Sequence, residues 1–151
     1  MRREAVALLL ALGAVACGKH EFEPPDREAR VAEAERLYSA ALFDTVTWAS
    51  DSLRLLDGNA VYASECRKCH GTLGRGDGPF GATRGLEVPS LVEPDWPLAS
   101  LDSVRHRVFV GHAAGMPTWG VAGITPREID AVAFYILNGL RPDVLGDEGS
   151  S

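Results

Sequence analysis

Residues 65–72 read E-C-R-K-C-H-G-T, and the reading of these eight positions decides the fold. Two cysteines three apart, followed at once by His70, suit three chemistries: a redox dithiol, half of a zinc site, or a haem tether. On a helix, side chains three apart share a face. Cys66 and Cys69 could therefore reach the two vinyl groups along one haem edge, with the His70 imidazole beside them for the iron. C-x-x-C-H is the attachment signature of that chemistry. A zinc site needs four ligands, usually two pairs, and the other histidines are His20, His106 and His112 with no second C-x-x-C. A thioredoxin-like dithiol belongs in a βαβ unit, and the surrounding sequence is glycine-rich with no strand pattern. Haem, not zinc, is the reading retained.

The rest of the composition bounds the partners. The chain has 151 residues, 46% hydrophobic and 24% charged, with a net charge of −6. One domain with attachments is the natural size class. No basic run or aromatic-basic interleaving points to nucleic acid.

The N-terminus reads as a targeting segment. Arg2 and Arg3 precede an unbroken run of apolar and small residues from Ala5 to Ala16, ending at Cys17. That is the layout of a secretory signal peptide, and the run is too short to span a bilayer stably. A cysteine at the cleavage point resembles the lipobox of bacterial lipoproteins, which implies removal of residues 1–16 and lipid on Cys17. Ala14 stands where that pattern usually has Leu, and Glu4 intrudes in the basic region.

Residues 17–51 then read as a lipid-anchor linker and an accessory helix. The segment 18–25 ends in two prolines. Residues 26–43 are strong helix formers with an apolar stripe of Val31, Leu37, Tyr38, Ala41 and Leu42, suited either to docking or to a spacer. Residues 44–52 carry no clear pattern. A compact unit over 52–141 follows. Its first helix is predicted at Asp57–Lys68, and the stretch 70–81 is too rich in Gly and Pro for a helix. Pro89, Pro94 and Pro97 keep the next stretch irregular. A second helix is predicted at Leu101–Val110, with Val104 and Val108 inward and Gly111 as its stop. T-P-R-E at 125–128 combines an N-cap Thr, Pro at the first helical position and a capping-box Glu. Ile129, Val132, Ala133, Ile136 and Leu137 form the buried face of the helix that follows. Residues 142–151 read as a flexible tail. With no β-pattern, the class is all-α.

Four stretches appear in a familiar order: G-N-A-V-Y-A-S-E-C-R-K-C-H-G at 58–71, G-R-G-D-G-P at 74–79, G-H-A-A-G-M-P-T-W at 111–119, and I-T-P-R-E-I-D-A-V-A-F-Y-I-L-N-G-L at 124–140. Over 57–141 the chain resembles a class I monohaem cytochrome c domain. The resemblance implies about three main helices around one covalent haem c, to which this chain adds an N-terminal helix. It implies thioethers at Cys66 and Cys69, with His70 as one axial iron ligand. Met116 is the sole methionine after Met1; it lies in a G-M-P loop, and the resemblance makes it the sixth ligand, with His106 and His112 as competitors. By the same resemblance His70 donates its outer ring N–H to a proline carbonyl, for which Pro79 is the candidate. Gly58, Tyr62 and Tyr135 match the family's helix-crossing contact. Arg84 and Trp96 are candidates for bonding haem propionates, and Trp119 for packing near the Met116 loop.

Filling both axial positions with His and Met raises the reduction potential and closes the iron to substrates. The function expected is therefore electron transfer rather than catalysis: a single-electron carrier, tethered by lipid at the periplasmic side of a bacterial membrane, serving redox proteins or respiratory complexes. A tether of roughly 35 residues would reach about 30–35 Å. One alternative is a fixed haem subunit of a larger oxidase, reductase or dehydrogenase, docked through the 31–42 stripe. Another is a haem enzyme or gas sensor with a displaceable sixth ligand.

Overall fold

The computed structural model describes residues 26–98 and 100–148. The signal segment, Cys17 and the last three residues lie outside them. Among the described residues there is no β-strand, only a single bridge between His112 and Met116. The all-α class is as expected. No described helix is long and apolar enough to cross a membrane.

Helix α1 is Arg27–Leu37, capped by the Asp26 carboxylate accepting the Ala29 N–H. It is shorter than the 26–43 span expected. Tyr38 is extended, and a 3-10 turn at Ala40–Phe43 follows, capped by Ser39. A serine offers the backbone a local alternative to the helix, and tertiary contacts reward the break. Once out of the helix, Tyr38 donates a 2.9 Å hydrogen bond to the Asp102 carboxylate and sets its ring edge-on to His106 and Phe109. Ala34 of α1 and Phe43 of the 3-10 turn are buried, with Val31 and Tyr38 packed against the same core. Leu37, Ala41 and Leu42 of the expected stripe are exposed, because the period they assumed ends at residue 37.

Helix α2, Asp51–Val61, starts at the Ser50 N-cap, six residues ahead of the expected Asp57. A π-helical turn at Tyr62–Cys66 carries it into α3, Arg67–His70, so the helix runs on through the cysteine motif. Gly58 is a contact point inside this helix. A Cβ there would stand 2.2 Å from the Ala131 carbonyl oxygen and 2.6 Å from the Tyr135 Cβ, so only glycine lets the two helices cross this closely. That is the crossing the resemblance implied, with Tyr62 and Tyr135 rings 5.7 Å apart beside it.

The glycine-rich stretch holds one short helix that composition argued against, α4 at Pro79–Thr83, with Pro79 in its first turn where no N–H is needed. Helix α5, Leu101–Val110, has the predicted bounds and ends at Gly111 with φ +72°. Helix α6 is Trp119–Ala122, and α7 is Pro126–Tyr135 with the predicted reciprocal capping box between Thr125 and Glu128. Those bonds from Thr125 hold the Glu128 carboxyl below its ordinary range. A second π turn, Ile136–Leu140, leads into α8, Arg141–Glu148.

Helix α8 corrects the expected flexible tail. Pro142 falls in the helix's first turn, where proline is tolerated. Val144 is buried, and the Arg141 guanidinium bonds the Leu91 and Glu93 carbonyls while stacking on Trp96.

One buried ion cluster, absent from the sequence reading, joins four segments. Asp130 on α7 is 1% exposed. Its carboxylate accepts from Trp48 Nε1 at 2.6 Å, from Arg54 Nε at 2.8 Å, and from Arg105 Nε at 3.0 Å. Arg127 bonds the Thr47 carbonyl at 2.6 Å and stacks on Trp48. The patternless 44–52 stretch is thereby fastened to α2, α5 and α7.

Candidate functional site

The cysteine motif lies at the end of a helix whose register shifts just before it. The π turn places Cys66 at the start of α3 and His70 at its last position. Both cysteines are free and partly buried. Burial first, and the Glu65 charge second, push the Cys66 thiol up to about 12. A redox-active cysteine needs the opposite shift, towards thiolate. Among the described residues no three His, Cys, Asp or Glu side chains gather as a metal ion would require.

Around this helix end the glycine-rich loop folds back onto the backbone. Gly76 N–H donates to the His70 carbonyl at 2.9 Å and Gly78 N–H to the Cys69 carbonyl at 3.0 Å. The buried Tyr62 hydroxyl donates to the Gly71 carbonyl at 2.8 Å. Gly71 has φ +79°, the turn that carries the chain out of the helix, and a Cβ there would strike the Asp77 carboxylate. At Gly78 the loop passes so close that a Cβ would lie 2.5 Å from the Cys69 carbonyl.

The His70 ring is held by packing more than by hydrogen bonds. Burial lowers its pKa, and the backbone of Pro89 acts the other way. That interaction does not close into a hydrogen bond of normal geometry, and Nδ1 is buried without a protein partner. The proline beside the ring is thus Pro89, not Pro79, which is exposed at the head of α4. Both follow the motif in the loop, and only the folded path of residues 84–92 tells them apart.

Met116 is half-buried against the core cluster. Its carbonyl accepts the His112 N–H at 3.0 Å, and Gly111 packs directly under it, 2.6 Å from where a Cβ would be. Gly115, with φ +137°, packs on Leu86 of the loop after α4. Trp119, three residues on, also packs against the core, and the Lys68 ammonium, from between the two cysteines, stands 5.7 Å from its ring centre. Trp119, at the end of the methionine loop, is in this way brought beside the motif helix.

The competing histidines are occupied elsewhere. His106 Nε2 pairs with the Glu35 carboxylate of α1 at 2.7 Å. His112 is exposed, and its Nδ1 accepts the Ala114 N–H. Arg84 is exposed with its guanidinium over Phe80, and Trp96 is half-buried under Arg141. A hollow of about 570 Å³ lies against the motif helix, lined by Ala63, Arg67, Lys68, Thr72, Asp77 and Pro79 among others. None of Cys66, Cys69, His70 or Met116 lines it.

These donors fit a covalently held haem. Two unpaired thiols at C-x-x-C spacing on a helix end and a half-buried imidazole directly after them are what such a group requires.

Comparison with known proteins agrees. Residues 54–136 match the family described as cytochrome c oxidase, cbb3-type, subunit III. The chain is 25% identical over 122 residues to the cbb3-type cytochrome c oxidase subunit CcoP of Rubrivivax gelatinosus. That match covers 80% of this chain and 37% of the relative, so the chain spans little more than a third of the protein it resembles. No solved structure is significantly similar. With more than half of its length in the match, the chain belongs to the cbb3-type subunit III family of c-type cytochromes.

Proposed function

We propose that the chain carries single electrons through one haem c, bound by thioethers at Cys66 and Cys69 with His70 and Met116 as axial ligands. The observation that carries this is the C-x-x-C-H helix end itself, with two free thiols and a half-buried imidazole directly after them. When bound, the haem supplies a one-electron couple. The protein's own residues anchor it, hold the imidazole through the backbone clamp, and shape its burial. Arg84 and Trp96 are proposed to face its propionates.

Lipid on Cys17 would hold the domain at the periplasmic membrane surface. Residues 26–48 pack on the domain, so they add nothing to a leash. That leaves at most the nine residues 17–25 between lipid and domain, about a quarter of the roughly 35 expected from the sequence. Electron partners would then have to lie near that surface. The motif stretch 65–84 has four basic side chains, Arg67, Lys68, Arg75 and Arg84, against two acidic, in a chain of net charge −6.

A second reading, a fixed haem subunit of a terminal oxidase, is supported by the likeness to the Rubrivivax subunit. The docking surface once suited to it, the 31–42 stripe, is divided between the chain's own core and solvent. Size-exclusion of detergent extracts separates the two readings, since migration only with a large complex would sink the free carrier. The test of the site is a visible spectrum in both redox states, for wild type and Met116→Ala. Wild-type protein without covalent haem would defeat the proposal. An unchanged sulfur-to-iron charge-transfer band in the variant would remove Met116 as ligand. Rapid, complete carbon monoxide binding to the reduced protein at neutral pH would favour an open-site enzyme or sensor instead.

A further inference from the structure

The buried phenol of Tyr62 carries a hydroxyl that packing does not need. Its ring, 2% exposed, fills space beside Tyr135 and the Gly58 crossing, and a phenylalanine would fill the same space. A buried hydroxyl without a partner is destabilising, so the acceptor it reaches has consequence. That acceptor is the Gly71 carbonyl, the residue directly after His70.

We propose that Tyr62 is a positioning residue for His70, its hydroxyl pinning the Gly71 carbonyl and thereby the last turn of the motif helix. The backbone that leaves His70 is then held at two successive carbonyls. Gly76 N–H holds the His70 carbonyl and Tyr62 holds the next one. The ring's Nδ1 has no hydrogen bond of normal geometry and only the Pro89 backbone acting on it, so where the backbone at His70 stands bears on the direction of Nε2. The π turn that begins at Tyr62 serves the same end, since it places Tyr62 and Gly71 within one hydrogen bond across nine residues. The proposal rests on His70 being an axial ligand.

The experiment compares full-length wild type, Tyr62→Phe and Tyr135→Phe, all haem-loaded. Helical signal and haem content should be kept in both variants. In Tyr62→Phe the Gly76 amide should exchange about fivefold faster, the equivalent of about 1 kcal/mol for one hydrogen bond. The paramagnetic shifts of the His70 ring protons and the reduction potential should both move from the wild-type values. Tyr135→Phe should leave all three unchanged. If Tyr62→Phe lowers stability but leaves the His70 shifts and the potential in place, Tyr62 only packs and the proposal falls. Should that variant fail to load haem, the wild-type Tyr62 hydroxyl proton decides: a slowly exchanging resonance sensitive to iron oxidation state upholds the proposal, and a rapidly averaged one overturns it. Wild type lacking covalent haem would overturn the axial role of His70 and this proposal with it, whereas haem-loaded protein with unmoved shifts overturns this proposal alone.

Discussion

Replacing Asp130 by asparagine removes one negative charge from a cluster of three donors and changes almost nothing in shape. The carboxylate takes hydrogen bonds from Trp48, Arg54 and Arg105, and is 1% exposed. An amide in its place would turn an –NH₂ group towards N–H donors and leave two guanidinium charges facing a neutral group. Breaking a buried pair by losing one partner costs about 3–5 kcal/mol. The side chains of Arg54 and Arg105 are 13% and 19% exposed, so both can turn partly towards water, which favours the lower end, about 3 kcal/mol. That is a large share of an ordinary domain stability of about 5–15 kcal/mol.

Urea unfolding of the haem-loaded protein, followed by far-ultraviolet circular dichroism, measures it as a lower midpoint at an unchanged slope. The pH dependence gives a second check. Burial opposes ionisation of Asp130, but the bonds from Arg54, Arg105 and Trp48 outweigh it and hold the pKa below its ordinary value. A carboxyl lowered on folding stabilises the native state above its unfolded pKa near 4 and ceases to do so as pH falls through the folded value. The gap between wild type and variant should therefore be full at pH 7 and shrink below pH 4. A difference under about 0.5 kcal/mol at pH 7 would refute the view that this cluster fastens the 44–52 stretch to the helices.

Three further outcomes are expected. Gly58→Ala should destabilise by at least about 2 kcal/mol in the same urea assay, because backbone at Ala131 blocks the new methyl; a neutral result would mean that the α2–α7 crossing is not tight. Tyr38→Phe should cost about 1 kcal/mol through loss of the Asp102 bond and speed amide exchange in α1, with α7 unaffected; exchange rates in α1 that match wild type would show that the helix does not depend on it. His106→Gln should leave the visible spectra of both redox states as in wild type, since His106 is paired with Glu35 of α1; a changed axial-ligand spectrum would return His106 to the iron.

Legibility in the sequence followed the range of the interaction. The Thr125–Glu128 box, the Gly111 stop and the spacing of Cys66, Cys69 and His70 are fixed within five residues, and each was readable. The start of α2 at Ser50 was readable in kind, as a serine cap before Asp51, and the resemblance already gave Gly58 the contact role in which the fold uses it. Pro79 and Pro89 are equivalent as letters, and only the loop's return puts Pro89 beside the ring. Asp130 carries no local signal of its role, because its partners Trp48 and Arg54 lie 82 and 76 residues away.

The sequence by itself determined the class of this protein: an all-helical cytochrome c domain with a C-x-x-C-H motif. Attachment and ligand donors are residue types at short spacing, and local geometry suffices to specify them. Tertiary structure alone decided that α1 docks on α5, that α8 is packed and not frayed, that His106 serves Glu35, and that Tyr62 reaches Gly71. Each of those depends on which elements come together, and burial makes a long-range partner worth more than a local propensity.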